Sequence, residues 1–425
     1  MMQPPPSSAI LLLHVSGPDQ SGLTLAISQL LAAHEVAILD IGQSVIHDQL
    51  NLGMLLELPD EGHTSSVLKD LLFKGHEMGV RMQFTPVTAD DYAQWVSAQG
   101  KKRFKITLLA RKITAEHFAR MAEVVVEQGL NIDDIVRLSG RVPQGEVTQH
   151  SRACVEISVR GEAVDVQVMR SHLVKAAEDL AVDIAFQEDT LYRRHRRLIC
   201  FDMDSTLIEA EVIDLLAERH GVGPEVAAIT ERAMRGELDF QQSFRQRMQL
   251  LRGLDQSVLA DVAQQLPMTE GAPRLLRNLK ALGYKTAIIS GGFDYFGRYL
   301  QTALGIDFVY ANRLDFDAQG QLTGEVTTPI IDGARKAEIL QEIAAQEGIS
   351  LEQVIAVGDG ANDLPMLNIA GLGIAFRAKP LVRQNAKQAL NTLGLDGILY
   401  LLGFSEQYQL ADEDARMGLA NTLAH

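Results

Sequence analysis

At 425 residues, 46% of them hydrophobic and 22% charged, the chain has apolar content for two or three packed domains, which excludes a disordered or fibrous protein. A formal net charge of −16 argues against nucleic acid as partner, since phosphate backbones are held by clustered Lys and Arg. Leu11–Leu13 is far too short for a leader or a membrane span, so no membrane association and a cytoplasmic location are expected. The two cysteines, Cys154 and Cys200, sit in apolar runs and read as small core residues of a reducing compartment, without a disulfide.

From Ile10 the periodicity predicts strand (10–15), turn (Ser16 to Asp19), helix (23–33), strand (37–47), strand (50–58), helix (64–78) and strand (80–84). This βαββαβ order is that of a ferredoxin-like unit. The same order recurs some ninety-five residues on, with strands at 104–110, 131–139, 153–159 and 181–186 and helices at 115–128 and 164–180. The basic run Arg193 to Arg197 then reads as a solvated linker.

Leu198 to Phe201 is apolar on both faces, as in a parallel strand covered by helices on either side, and it stops on Asp202 and Asp204. Ligands of such sheets sit at the carboxyl ends of the strands, where two acids can reach one hard cation. Four stretches of helical spacing follow between Glu209 and about Pro267 without a strand. Strands resume at 284–289, 308–311, 353–357 and 372–375, the alternation of a doubly wound parallel sheet; residues 313–331 read as a hairpin beside it. The later strand ends carry Ser290-Gly-Gly-Phe293 and Gly358-Asp-Gly-Ala-Asn-Asp363, and Lys336 follows a turn at Asp332-Gly333. Taken singly, Ser290 is a turn residue and Lys336 a surface lysine; their order behind an Asp-x-Asp strand end favours a site.

That order resembles the haloacid dehalogenase superfamily of phosphatases. Within it, F-D-M-D-S-T-L, S-G-G-F and G-D-G-A-N-D-L resemble the phosphoserine phosphatase family over residues 195 to 400. The G-P-D-Q-S-G-L turn of the first repeat looks like that of ACT domains, which sense small molecules, usually amino acids. The second repeat has Ala110 to Thr114 there and lacks the glycines. The expected architecture is ACT-like modules at 10–90 and 103–188 and an α/β phosphatase domain at 195–425 whose helical insert, about 209–267, caps the substrate.

The resemblance implies a Mg²⁺-dependent hydrolase releasing serine from phosphoserine, the last step of serine biosynthesis. In it, Asp202 is nucleophile, Asp204 acid and base, and Ser290, the Gly291 amide and Lys336 hold phosphate. Metal ligands are Asp202, the Asp204 carbonyl and Asp359, with Asp363 supporting them. In the cap, Glu211 meets the substrate ammonium, Arg247 its carboxylate, and Met234 and Phe240 form apolar walls, with Asn362 also reaching substrate. Gly17, Asp19 and Gly22 are candidate contacts for an amino-acid effector, serine, and also read as a plain turn and helix cap. Exposed sheet edges of the modules point to a homodimer. The alternatives are a phosphatase for another small phosphomonoester and an amino-acid sensor with a vestigial phosphatase.

Overall fold

The computed structural model describes residues 9–59, 61–97 and 102–410, and it divides into two compact units between residues 101 and 102. The first unit comprises β1 (Ala9–Pro18), α1 (Leu23–Ala33), β2 (Ala37–Ile46), β3 (Gln49–Leu58), α2 (Glu61–Glu77), β4 (Arg81–Val87) and α3 (Ala89–Ser97). Its strands form an antiparallel sheet in the order β2-β3-β1-β4. Period two decides the faces: Leu50, Leu52, Met54, Leu56 and Leu58 of β3 all point to the core. They meet Leu23, Ile27 and Leu31, which recur every four residues along α1. The helix α3 was not expected; Asp90 and Asp91 in its first turn and Thr88, whose Oγ1 accepts from the Asp91 amide at 3.1 Å, start it.

The second unit begins with β5 (Arg103–Ala110), α4 (Ala115–Glu127), β6 (Asn131–Arg137), β7 (Ala153–Arg160), α5 (Val166–Leu180) and β8 (Asp183–Glu188), and its sheet order β6-β7-β5-β8 repeats that of the first. One face packs on α4 and α5 through Ile106, Leu108, Met121, Val125, Met169 and Leu173. The other face is covered as well, since Leu109, Cys154 and Ala185 belong to the core of the region that follows. Both cysteines are buried and free.

The basic run is a solvated linker only in part, with Arg194, His195 and Arg197 exposed. Arg193 is 1% exposed and paired with Glu156 of β7, and Arg196 is buried against the carbonyls of Glu352 and Gly371. Two of its arginines turn inward, and a buried guanidinium needs acceptors.

The remainder is α/β: β9 (Leu198–Phe201), α6 (Val212–His220), α7 (Gly223–Met234), α8 (Phe240–Leu250), α9 (Val258–Gln264), α10 (Ala272–Ala281), β10 (Lys285–Phe293), α11 (Asp294–Leu304), β11 (Phe308–Asn312), α12 (Gly333–Gln346), β12 (Val354–Gly358), α13 (Leu364–Ile369), β13 (Leu372–Phe376), α14 (Pro380–Asn385), β14 (Gln388–Leu390) and α15 (Gly397–Leu401). Among the described residues the sheet is six-stranded and parallel, ordered β11-β10-β9-β12-β13-β14. Along β9, Ile199 and Phe201 enter one hydrophobic layer and Leu198 and Cys200 the other, which is why the strand is apolar throughout. Chain order reverses at β9, between β10 and β12, and a crevice opens at such a reversal.

Residues 313–331 form no regular hairpin. Only its tip pairs with itself, through the Phe316–Leu322 bridge and through Asp317 N donating to Gln321 O and Thr323 N to Asp315 O, both at 2.9 Å; the same residues also bond to the loop after α8, where Gln321 bridges to Asp255, Gly253 N donates to Leu322 O at 2.8 Å and Leu322 N to Leu254 O at 2.9 Å. The expected domain limit at 425 lies outside the described residues.

Candidate active site

The carboxyl ends of β9, β10 and β12 converge on a cavity of about 140 Å³. Its floor is Asp202, Asp204, Ser290, Gly291, Gly292, Asp359 and Gly360; its roof is Glu211, Ile213, Phe240, Phe244 and Arg247 from α6 and α8 and the residue preceding α6. Asp202 follows β9 directly, its amide bonded to Val357 O at 2.9 Å and its Oδ1 accepting from the Met203 amide at 2.7 Å. The other oxygen, Oδ2, lies 2.8 Å from Lys336 Nζ. Gly292 is required by close approach, because a Cβ there would come within 2.6 Å of Asp204 Oδ2. Ser290 is 1% exposed, and its Oγ accepts from the Gly292 amide at 3.0 Å.

Lys336, on the first turns of α12, is fully buried, with Asp363 Oδ1 2.6 Å from its Nζ. Burial alone would depress its pKa, but the charges and hydrogen bonds of Asp202 and Asp363 outweigh that and hold the ammonium above the ordinary lysine value. Asp204 is pushed well above the carboxylate range by burial, Glu211 and Asp202. Burial, with Asp202 and Asp363 nearby, moves Asp359 up to about 8, and burial with Asp202 raises Asp363.

The carboxyl groups of Asp202, Asp204, Glu211, Asp359 and Asp363 thus crowd against two cations, Lys336 and Arg247. Such an excess of buried negative charge fits a hard divalent cation. Ligand oxygens of Asp202, Asp359 and Asp363 lie within 4.8 Å of one another. They are not equally free. Both oxygens of Asp363 are engaged, by Lys336 and by the Gly360 amide at 3.0 Å, whereas Asp359 takes a hydrogen bond from Thr206 Oγ1 at 3.3 Å. Asp202 is engaged at both oxygens as well, by the Met203 amide and Lys336, but it lines the cavity with Asp359 whereas Asp363 lies behind the floor, so Asp202 and Asp359 are the two of the three that can face a cation there.

On the roof, Glu211 is the residue capping α6 and accepts from Ser205 Oγ at 2.8 Å. Burial raises its pKa. Arg247 Nε is buried without a hydrogen-bond partner among the described residues, and burial lowers the pKa of this guanidinium. A desolvated cation aimed into a cavity is a place for an anion.

The structure brings Asp202, Asp204, Glu211, Phe240, Arg247, Ser290, Gly291, Asp359 and Asn362 to one cavity, with Lys336 and Asp363 directly behind its floor. Met234 is not among them. It ends α7 with 65% of its surface exposed, its Sδ 3.8 Å from Lys379 Nζ, because the last turn of that helix points its apolar side outward. Sequence reasoning passed over Thr206, Gly292, Ile213 and Phe244. Thr206 and Gly292 lie inside motifs already singled out, and Phe244 sits one helical turn after Phe240.

In the first unit, Gly22 precedes α1 at φ +89°, a conformation that favours glycine. Gly17 lies within β1, which runs on to Pro18, and a side chain there would come within 2.9 Å of Val80; packing explains this glycine. The Asp19 amide is not free, since it donates to Asp48 O at 2.7 Å.

Comparison with known proteins agrees with this geometry. Residues 196–371 match the haloacid dehalogenase-like hydrolase family, and residues 9–85 and 103–187 each match an ACT domain family. The chain is 41% identical over 403 residues to a phosphoserine phosphatase of Streptomyces coelicolor, covering 95% of this chain and 94% of that one. It is 40% identical over 398 residues to a phosphoserine phosphatase of Mycobacterium tuberculosis, covering 94% of each. A crystal structure of a haloacid dehalogenase family hydrolase from Salmonella enterica serovar Typhi superposes with a TM-score of 0.61 at 32% identity, over 70% of this chain and 98% of that one. With its acid-lined cavity at the sheet's reversal, and with relatives similar along nearly their whole length, the chain belongs to the phosphoserine phosphatase family.

Proposed function

We propose that the protein hydrolyses O-phospho-L-serine to L-serine and phosphate, the closing step of serine synthesis. One observation carries the reading. A single small cavity has an acidic, cation-ready floor at one end and, at the other, a carboxylate (Glu211) beside a guanidinium (Arg247) whose buried Nε has no partner among the described residues, the complement of an amino acid's ammonium and carboxylate.

In this reading Asp202 attacks phosphorus as the ester bond to the serine oxygen breaks, giving an aspartyl-phosphate. Asp204 gives its proton to the departing oxygen; the raised pKa of this buried carboxyl supports that role. A water then attacks phosphorus while Asp204 recovers a proton from it, the bond to Asp202 breaks, and phosphate leaves. Ser290, the Gly291 amide and Lys336 hold the phosphoryl oxygens, Phe240 and Asn362 bound the serine moiety, and the helices of residues 209–267 exclude water. Magnesium, held by Asp202, Asp359 and the Asp204 carbonyl with Asp363 in support, would supply positive charge to the phosphoryl group.

The same reading takes 10–90 and 103–188 as ACT-like modules, the first binding an effector such as serine near Gly17, Asp19 and Gly22, and 195–425 as the catalytic domain. Exposed Ile38, Ile41, Val45 and Ile46 on the edge strand β2 support pairing of two copies in a homodimer. Among the described residues no helix is long and apolar enough to cross a membrane, and a cytoplasmic location is proposed. The test is phosphate release from a panel of phosphorylated metabolites with and without Mg²⁺. Phosphoserine should be preferred and the reaction should require the ion. Preference for another phosphomonoester, or no turnover of any, would replace the reading with a related phosphatase or a sensor.

A further inference from the structure

The two links between the core and helices α6–α9 run side by side. Glu209 N donates to Pro267 O at 2.8 Å, Thr269 N to Leu207 O at 3.0 Å, and Ile208 bridges antiparallel to Met268. Any swing of the cap must flex this ribbon. An acidic residue lies at each link, Glu209 on one and Glu270 at the end of the other. Arg377, immediately after β13, donates to both: Nη1 to Glu209 Oε1 at 2.6 Å and Nη2 to Glu270 Oε2 at 3.1 Å. It does so from a backbone at φ +44°, a conformation that residues with side chains rarely hold unless their surroundings impose it.

Glu270 is gripped a second time, from the second ferredoxin-like module. Nη1 and Nη2 of Arg111 donate to its two oxygens, both at 2.9 Å. Arg111 stands just after β5, at the turn where the first module has its glycines. The pair is about one quarter exposed on each side, 24% and 27%, so the fork is partly desolvated and stronger than a surface ion pair.

We propose that Arg111 and Arg377 are positioning residues that hold the hinge ribbon in the arrangement that closes the cap, so the second module serves the reaction through its grip on the hinge. This rests on the reading of α6–α9 as a cap over the substrate. Relaxing the grip leaves the chemistry at Asp202 intact and makes the closed form rarer, and apparent affinity falls by the fraction lost. Only a substrate whose amino-acid end meets Glu211 and Arg247 gains from closure.

The experiment compares Arg111→Met and Glu270→Gln, alone and together, in the full chain, with Arg170→Met. The last cuts a different contact of the same module, Arg170 Nη1 to Lys387 O at 2.7 Å, and spares the ribbon. KM for phosphoserine should rise about three- to tenfold in the hinge variants with kcat within about twofold. The double variant should be no worse than Glu270→Gln alone, since that change already takes the carboxylate from Arg111 as well as from Arg377. Phenyl phosphate kinetics should change less than about twofold in all, and Arg170→Met should resemble the wild type on both substrates. Arg111→Lys, which keeps the charge, should fall between and serves if Arg111→Met does not fold. Unchanged KM in Arg111→Met, equal changes on both substrates, or an equal effect of Arg170→Met would overturn the proposal. Should the wild type reject phosphoserine, the substrate reading falls, and the hinge is judged by the same comparison on its best small substrate.

Discussion

Replacing Lys336 by Met separates the electrostatics of the site from its packing. The side chain is fully buried, and its Nζ is 2.8 Å from Asp202 and 2.6 Å from Asp363. Methionine fills much the same volume but leaves both carboxylates without their cation. Removing one partner of a buried ion pair costs about 3 to 5 kcal/mol. The lower end is expected, because each carboxylate keeps a backbone partner, the Met203 amide for Asp202 and the Gly360 amide for Asp363. Protonation limits the loss further. Burial and Asp202 already push the Asp363 carboxyl above the ordinary carboxylate range while Lys336 restrains it, and without the lysine it moves higher. A carboxyl raised above its unfolded value destabilises the fold above that unfolded value, and the penalty disappears as pH falls. The deficit of Lys336→Met in urea unfolding without Mg²⁺ should therefore be about 3 kcal/mol at about pH 8 and clearly smaller at about pH 6. Adding Asp363→Asn should restore part of the stability while turnover stays lost. A deficit below about 1 kcal/mol, or one independent of pH, would refute the charge balance drawn for this site.

Arg247→Ala should lower kcat/KM for phosphoserine by about 2 kcal/mol or more, roughly thirtyfold, with little change on an aryl phosphate lacking a carboxylate; equal losses would assign Arg247 to the fold or the phosphate. Glu270 is held below the ordinary carboxylate range: partial burial pushes it up, and the Arg111 hydrogen bonds and charge outweigh that. A depressed carboxyl stabilises the fold above its unfolded value and loses that contribution as pH falls through its folded value, so the thermal advantage of wild type over Glu270→Gln should be steady above about pH 5 and shrink progressively as pH falls below about 4. An advantage that grows on acidification would reverse the sign. A chain beginning at Lys102, compact in itself, should keep phosphatase activity and lose both dimerisation and any noncompetitive response to amino acids; sedimentation and inhibition kinetics that match the full chain would move those properties out of the first module.

Much of the architecture was legible because it rests on periodicity. The inward leucines of β3, the four-residue spacing of α1 and the uniformly apolar β9 each encode their environment directly. The site was legible because its groups stand in unbroken motifs at strand ends. What escaped depends on contacts between distant segments. The strand β14 has three residues and no alternation; it is held where Gln388 bonds both backbone groups of Phe186, at 2.9 Å from N and 2.7 Å to O, across the contact of two domains. Arg193 and Arg196 carry no sign in sequence that Glu156 and the carbonyls of Glu352 and Gly371 await them. The segment 313–331 has strand-like residues, but beyond its short paired tip its bonding partner is a loop nearly seventy residues earlier. Met234 was expected in a wall from the family resemblance, which does not tell which side of a terminal helical turn faces the cavity. A chain beginning near Tyr192 would look like a clean catalytic domain from sequence, yet it would strip the cover from Gln388 and from Asn391 and Thr392, whose amides Asp183 accepts at 2.8 and 2.7 Å.

The central claim, covalent phosphoryl transfer from phosphoserine to Asp202, is tested by mixing enzyme with phosphoserine carrying labelled phosphate, quenching in acid within the first turnovers and mapping the label by peptide mass spectrometry. A phosphoryl group is expected on the peptide containing Asp202, absent in a folded Asp202→Asn variant that releases no phosphate. Label on another residue, or steady turnover by Asp202→Asn, would contradict it.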